Sequence, residues 1–141
     1  MPSVAEILDN PAFASADVVA GKQGLTRQVL WLHNAGVPDA PYWLNGGELV
    51  MTTMFNMPQD INEQKEYVYQ MAEKDVAGLV LTIGRYIQTI PDHLIQAADA
   101  CDLPLIQIPF TARFVDVARA VNEEIAQENL RMVQRALTIH Q

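Results

Sequence analysis

Cysteine is nearly absent. A single residue, Cys101, stands among 141, so no disulfide can form within the chain. Its neighbours repeat as an apolar helix face, and Cys101 reads as a buried core thiol. Basic side chains are also scarce: 9 Lys and Arg face 17 Asp and Glu, for a net charge of −8. Such a surface repels phosphate, which argues against direct nucleic-acid binding by this segment while leaving a longer parent protein free to bind DNA. No apolar run approaches the ~20 residues of a membrane span, so no membrane partner is expected. Met1-Pro2-Ser3-Val4-Ala5-Glu6 lacks the basic start and apolar core of a secretion signal. Together these absences predict a soluble, cytoplasmic domain.

Enzyme motifs are missing as well. There is no G-x-S-x-G elbow, no P-loop and no H-E-x-x-H. The three histidines, His33, His93 and His140, have no second histidine or cysteine at metal-ligand spacing, so neither zinc nor another metal is expected. Gly46-Gly47 precedes an apolar run, whereas a phosphate-cradling loop follows a strand and opens a helix. No cofactor is expected.

What is present is globular: 50% hydrophobic and 18% charged residues, enough for one domain with its own core. Ser3 and Glu6 form a capping box for a short helix whose Val4, Ile7 and Leu8 share a face, ended by Asn10-Pro11. Asp17–Gly21 reads as a brief strand and turn, and Val29–His33 as a second strand, apolar on both faces. Asn34 to Pro41, dense in breakers, reads as a loop leading to Trp43 and the Asn45-Gly46-Gly47 turn. Leu49–Thr53 is a short apolar run fading into hydroxyls, as in a strand buried on both faces. Met54–Pro58 is a loop with large apolar side chains. Asp60 caps the next helix, with Ile61, Tyr67, Val68 and Met71 facing the core. Leu79–Ile83 is the clearest buried strand. Pro91-Asp92 opens a helix with Leu94, Ile95, Ala98 and Cys101 on its apolar face, and Leu103–Pro109 is a strand bracketed by prolines. Strand, helix, strand, helix, strand from Glu48 to Ile108 makes two crossovers in series and predicts an α/β fold, with a mostly parallel sheet and flanking helices.

From Arg113 onward the pattern is helical to the end. Phe114, Val117, Ala118, Val121 and Ile125 form one stripe. Ala126, Leu130, Val133 and Leu137 form a second with the a/d rhythm of a helix seam, predicting a dimer interface. Without a glycine cap or a proline stop, the helix reads as running on into further protein.

Parallel strands collect ligands at their carboxyl ends. Thr52 and Thr53 sit at such an end, and Thr53, Thr82, Arg85 and Gln107 converge on one rim if their strands are neighbours. Arg85 and Thr53 are its principal ligand-binding candidates, with Trp43 or Phe55 as an apolar wall and the arginine's planar fork suited to a carboxylate or oxo-anion. Each also has a plainer reading: Trp43 closing a core edge, the threonines ending strands, Arg85 a solvated loop residue. Glu48, at the start of a buried strand, must be paired; capping turn amides satisfies it. His33 ends a buried strand as a hydrogen-bonded core or rim histidine. A cluster of Glu48, His33 and a threonine hydroxyl in an open pocket is the arrangement that would indicate catalysis.

Trp31-Leu32-His33, Pro38-Asp39, Trp43-Leu44, Gly46-Gly47-Glu48-Leu49, Thr52-Thr53, Ala77-Gly78-Leu79, Leu103-Pro104-Leu105-Ile106, and Phe114 with Val117 resemble the N-terminal domain of PucR-type (purine catabolism regulator-like) transcriptional regulators. The likeness runs from about Val4 to Val121. Met54 stands where the family often has glycine, and Gly36 where it often has an acidic residue. The resemblance implies a sensory domain over residues 1–112 and a dimerising, signalling helix over 113–141 that leads to downstream domains. It also implies a small-molecule effector, a homodimer, and DNA contact only through a helix-turn-helix domain outside this chain. A ligand-free dimerisation or interaction module is the competing expectation.

Overall fold

The computed structural model describes residues 1–139. Its elements follow the chain as α1 (Val4–Leu8), β1 (Asp17–Ala20), β2 (Trp31–Asn34), α2 (Ala40–Trp43), β3 (Glu48–Thr52), α3 (Ile61–Glu73), β4 (Gly78–Ile83), α4 (Asp92–Ala100), β5 (Leu105–Pro109) and α5 (Phe114–Ile139), with short 3₁₀ turns at Pro11–Phe13, Lys22–Gly24 and Met54–Asn56. The five strands form one sheet in the order β1-β5-β4-β3-β2. β2, β3, β4 and β5 run parallel, and β1 pairs antiparallel with β5. The expected α/β class, mostly parallel sheet and long C-terminal helix are all present.

Alternation along the strands sorts the core into two layers. Val50, Leu79, Leu81 and Leu105 pack with Tyr67, Val68 and Met71 of α3 and Leu94, Ala97 and Ala98 of α4. Leu49, Met51, Val80, Ile106 and Ile108 pack on the opposite face with Val4 and Ile7 of α1 and Val117, Val121 and Ile125 of α5. Helices on both faces leave β3 and β4 almost wholly buried, which is why they read as unbroken apolar runs.

Local chemistry sets the element ends. Ser3 and Glu6 form the capping box of α1, and Asp60 accepts from the Glu63 amide at the head of α3. Gly47 sits at φ +82°, where a Cβ would come within 2.4 Å of Leu30 Cδ1. Only glycine lets the chain turn there and run into β3 against β2.

Four expectations are corrected. Ile61 is 55% exposed; buried Gln64 takes its place on the α3 stripe, donating to Pro58 O at 2.9 Å and meeting His93 Nε2 at 2.6 Å. The second strand is a sheet edge that starts at Trp31, whose side chain is exposed. The loop before Trp43 holds a short helix, α2, with Pro41 in its first turn. Cys101 is half-buried at the C-cap of α4, donating to Ala97 O at 3.2 Å rather than packing as a closed core thiol.

Candidate functional site

The register carries Thr52 of β3 beside Leu81 of β4, so the next residues, Thr53 and Thr82, continue side by side at the strands' carboxyl ends. Alternation aims both toward the α5 face, because Met51 and Val80 lie in that layer. A cleft of about 220 Å³ opens there, between the strand ends and the head of α5. Its lining includes Asn34, Thr52, Thr53, Thr82, Arg85, Tyr86, Phe110, Arg113 and Phe114.

The loop after β4 is shaped by Gly84 at φ +101°, where an added Cβ would touch the Phe110 ring at 3.0 Å. Gly84 N donates to Ile87 O at 2.7 Å, and Phe110 N donates to Ile83 O at 2.8 Å. These bonds hold Arg85 and Tyr86 opposite the segment that enters α5. The Arg85 guanidinium lies 5.6 Å from the Tyr86 ring centre, and the Tyr86 ring stacks on Phe55 at 5.5 Å. Thr82 is 8% exposed, and neither its hydroxyl nor that of Thr53 has a hydrogen-bond partner among the described residues.

Thr52, Thr53, Thr82 and Arg85 are thus brought together. Thr52 does so with its hydroxyl turned away, donating to Ala35 O at 2.6 Å inside the α3 layer. Gln107 is not part of the cleft: one step of alternation puts it on the α3–α4 face, where its Nε2 reaches Asp17 Oδ2 at 3.5 Å. His33, paired in register with Val50, points to that same face. Glu48 lies at the other end of β3, about 16 Å from Thr53 at ~3.3 Å per residue. Its carboxylate accepts from Asn45 N at 2.8 Å and Gly46 N at 2.6 Å, capping the turn. Glu48, His33 and a threonine hydroxyl therefore do not form a cluster. Trp43 and Phe55 line two larger hollows of about 600 and 570 Å³ along α3. Trp43 donates to Asp39 Oδ2 at 3.3 Å, and Phe55 reaches the cleft only from behind Tyr86.

Arg113, Tyr86, Phe110 and Asn34 were missed as site residues. A signal existed: β5 follows β4 in a crossover, so whatever leaves β5 must pass the same rim. Among the described residues no group of three His, Cys, Asp or Glu is placed to hold a metal, and no helix is long and apolar enough to cross a membrane. The second stripe of α5 stands in solvent, with Leu130, Val133 and Leu137 each more than half exposed and Ala126 exposed.

Comparison with known proteins identifies the family. A family model described as purine catabolism regulatory protein-like matches residues 6–125. The chain is 30% identical over 138 residues to the purine catabolism regulatory protein of Bacillus subtilis (strain 168), covering 98% of this chain and 26% of that protein. It is 27% identical over 124 residues to the transcriptional activator PmfR of Paenarthrobacter nicotinovorans, covering 88% of this chain and 26% of that one. The chain therefore spans about a quarter of the length of these curated relatives.

Proposed function

Because the chain belongs to the purine catabolism regulatory protein-like (PucR) family, we propose that it is the effector-sensing domain of a cytoplasmic transcription regulator. A small molecule binds in the strand-end cleft, and α5 carries the signal onward. Residues 1–112 form the sensing unit. Helix α5, within 113–141, pairs with its counterpart in a second copy through Ala126, Leu130, Val133 and Leu137. DNA is contacted only by a domain outside this chain, and the domain performs no catalysis.

One observation carries the reading: two unpartnered hydroxyls, Thr53 and Thr82, beside Arg85, in a cleft whose far wall is the head of α5. Hydroxyls left open on the wall of a concave cleft are where a ligand finds hydrogen bonds. A ligand bridging both walls has a different affinity for different placements of α5, and such a difference is what shifts a population.

A thermal-shift screen of purine-pathway intermediates, amino acids and aromatic acids tests this, since a ligand specific for the folded state raises the midpoint. The expected result is a raised midpoint that Thr82→Val with Arg85→Ala abolishes. Loss of Arg85 alone should weaken a charged ligand by about 2 kcal/mol, against about 1 for Thr53→Val. A midpoint unmoved by every compound favours the second reading, a ligand-free dimerisation module, for which the exposed stripe of α5 is the supporting observation.

A further inference from the structure

We propose that the cleft is built for a small organic anion with a planar body, gripped from two sides by Arg85, on the loop after β4, and Arg113, at the head of α5. This rests on the sensing reading and specifies its ligand.

Charge is the first argument. The chain carries nearly twice as many acids as bases, yet the cleft is lined by two arginines and no carboxylate. In a molecule with net charge −8 this is a local reversal of sign. Among the described residues neither guanidinium is firmly committed elsewhere: Arg85 meets the face of Tyr86 at 5.6 Å. Arg113 meets Asp116 at 3.9 Å with both side chains largely exposed, a pair of little strength.

The second argument is Thr82. Its side chain is more than nine-tenths buried and aimed into the cleft, with no partner for its hydroxyl among the described residues. Thr53 stands beside it, partly buried, its hydroxyl also without a partner among the described residues. Two hydroxyls can donate to an oxyanion that two forked cations approach from the side. The free amides at the N-terminal end of α5 add partial positive charge at the same wall.

Size and walls narrow the ligand. About 220 Å³ is roughly seven water volumes at ~30 Å³ each. Tyr86, Phe110 and Phe114 line it with aromatic rings, a wall suited to a flat body of that size. An anion held by both arginines would tie the β4 loop to the first turn of α5, fixing the helix by its head.

The test is a pair of probes of equal shape, benzoate and benzamide, followed by backbone-amide NMR on the 141-residue chain. Benzoate is expected to shift the amides of Thr53, Thr82 and Arg113 saturably, and benzamide to bind at least tenfold more weakly. Arg113→Gln should weaken benzoate by roughly tenfold or more and leave benzamide unchanged. Arg119→Gln, an exposed arginine of α5 outside the cleft, should behave as wild type. Equal binding of the two probes would overturn the anion site and leave the sensing reading standing. Benzoate that moves none of these amides, or that ignores Arg113→Gln, would overturn the two-arginine grip, and the sensing reading would then stand or fall on the thermal-shift screen.

Discussion

Tyr67 is buried on α3, and among the described residues its hydroxyl has no partner at hydrogen-bond geometry. The Thr52 side chain lies beside it, but the Thr52 proton goes to Ala35 O. Burial pushes the phenol well above its ordinary range, with Thr52 a smaller opposing influence. Tyr67→Phe removes a desolvated group that gains nothing in return, so its stability at pH 7 should equal or exceed wild type, within about 1 kcal/mol, by urea unfolding. The alkaline limb gives a second readout. Above pH ~10 the unfolded tyrosine loses its proton and the folded one keeps it, so the native state holds more protons. Stability then falls as pH rises, by up to about 1.4 kcal/mol per unit from this group, and Tyr67→Phe should flatten that part of the curve. Arg27 is the opposite case. Its guanidinium donates to Asp102 O at 3.2 Å, Val76 O at 3.3 Å and Cys101 O at 3.4 Å, tying together the turns after α3 and α4. A lysine cannot span three acceptors, so Arg27→Lys should cost about 1–3 kcal/mol in the same measurement.

At the scale of elements, β3 and β4 were legible because burial on both faces leaves an unbroken apolar run. The face of α3 was legible except at its first turn. Gln64, Tyr67, Val68 and Met71 make a regular stripe, but a buried glutamine is invisible to hydrophobic spacing when its amide is satisfied by Pro58 O and His93. The exposure of Trp31 is not legible in an apolar strand, because the sequence does not say which strand is an edge. Thr53, Thr82 and Arg85 could be placed at one rim from strand order alone. The direction of Gln107 depended on its phase in β5, and the role of Arg113 on where α5 starts. Helix α5 divides sharply: Ile125 is its last buried residue, and the 14 residues from Ala126 to Ile139 extend for about 21 Å at 1.5 Å each. Leu130→Glu with Val133→Glu should lower the mass seen by light scattering and leave the melting point near wild type. An unchanged mass would place any association elsewhere.

For the whole molecule, charge sets one expectation. With net −8 and a cleft lined by two arginines, the chain alone should give no electrophoretic shift of DNA, the operator of the proposed regulator included, at physiological salt. Sheet order sets another limit. β1, at Asp17–Ala20, pairs with β5, whose Gln107 stands opposite Asp17, and β5 in turn separates β1 from β4. The first strand made thus waits for the last. As the polypeptide leaves the ribosome, the β2-β3-β4 segment can assemble in order, but β1 has nothing to pair with until residues 105–109 emerge. Any nascent chain stopped before Leu105 leaves β1 unpaired and the far side of β4 open, and open edges are where chains join their neighbours. Completion of β5 is therefore the step that covers the open side of β4 and joins β1 to the sheet, leaving β1 and β2 as its two edge strands.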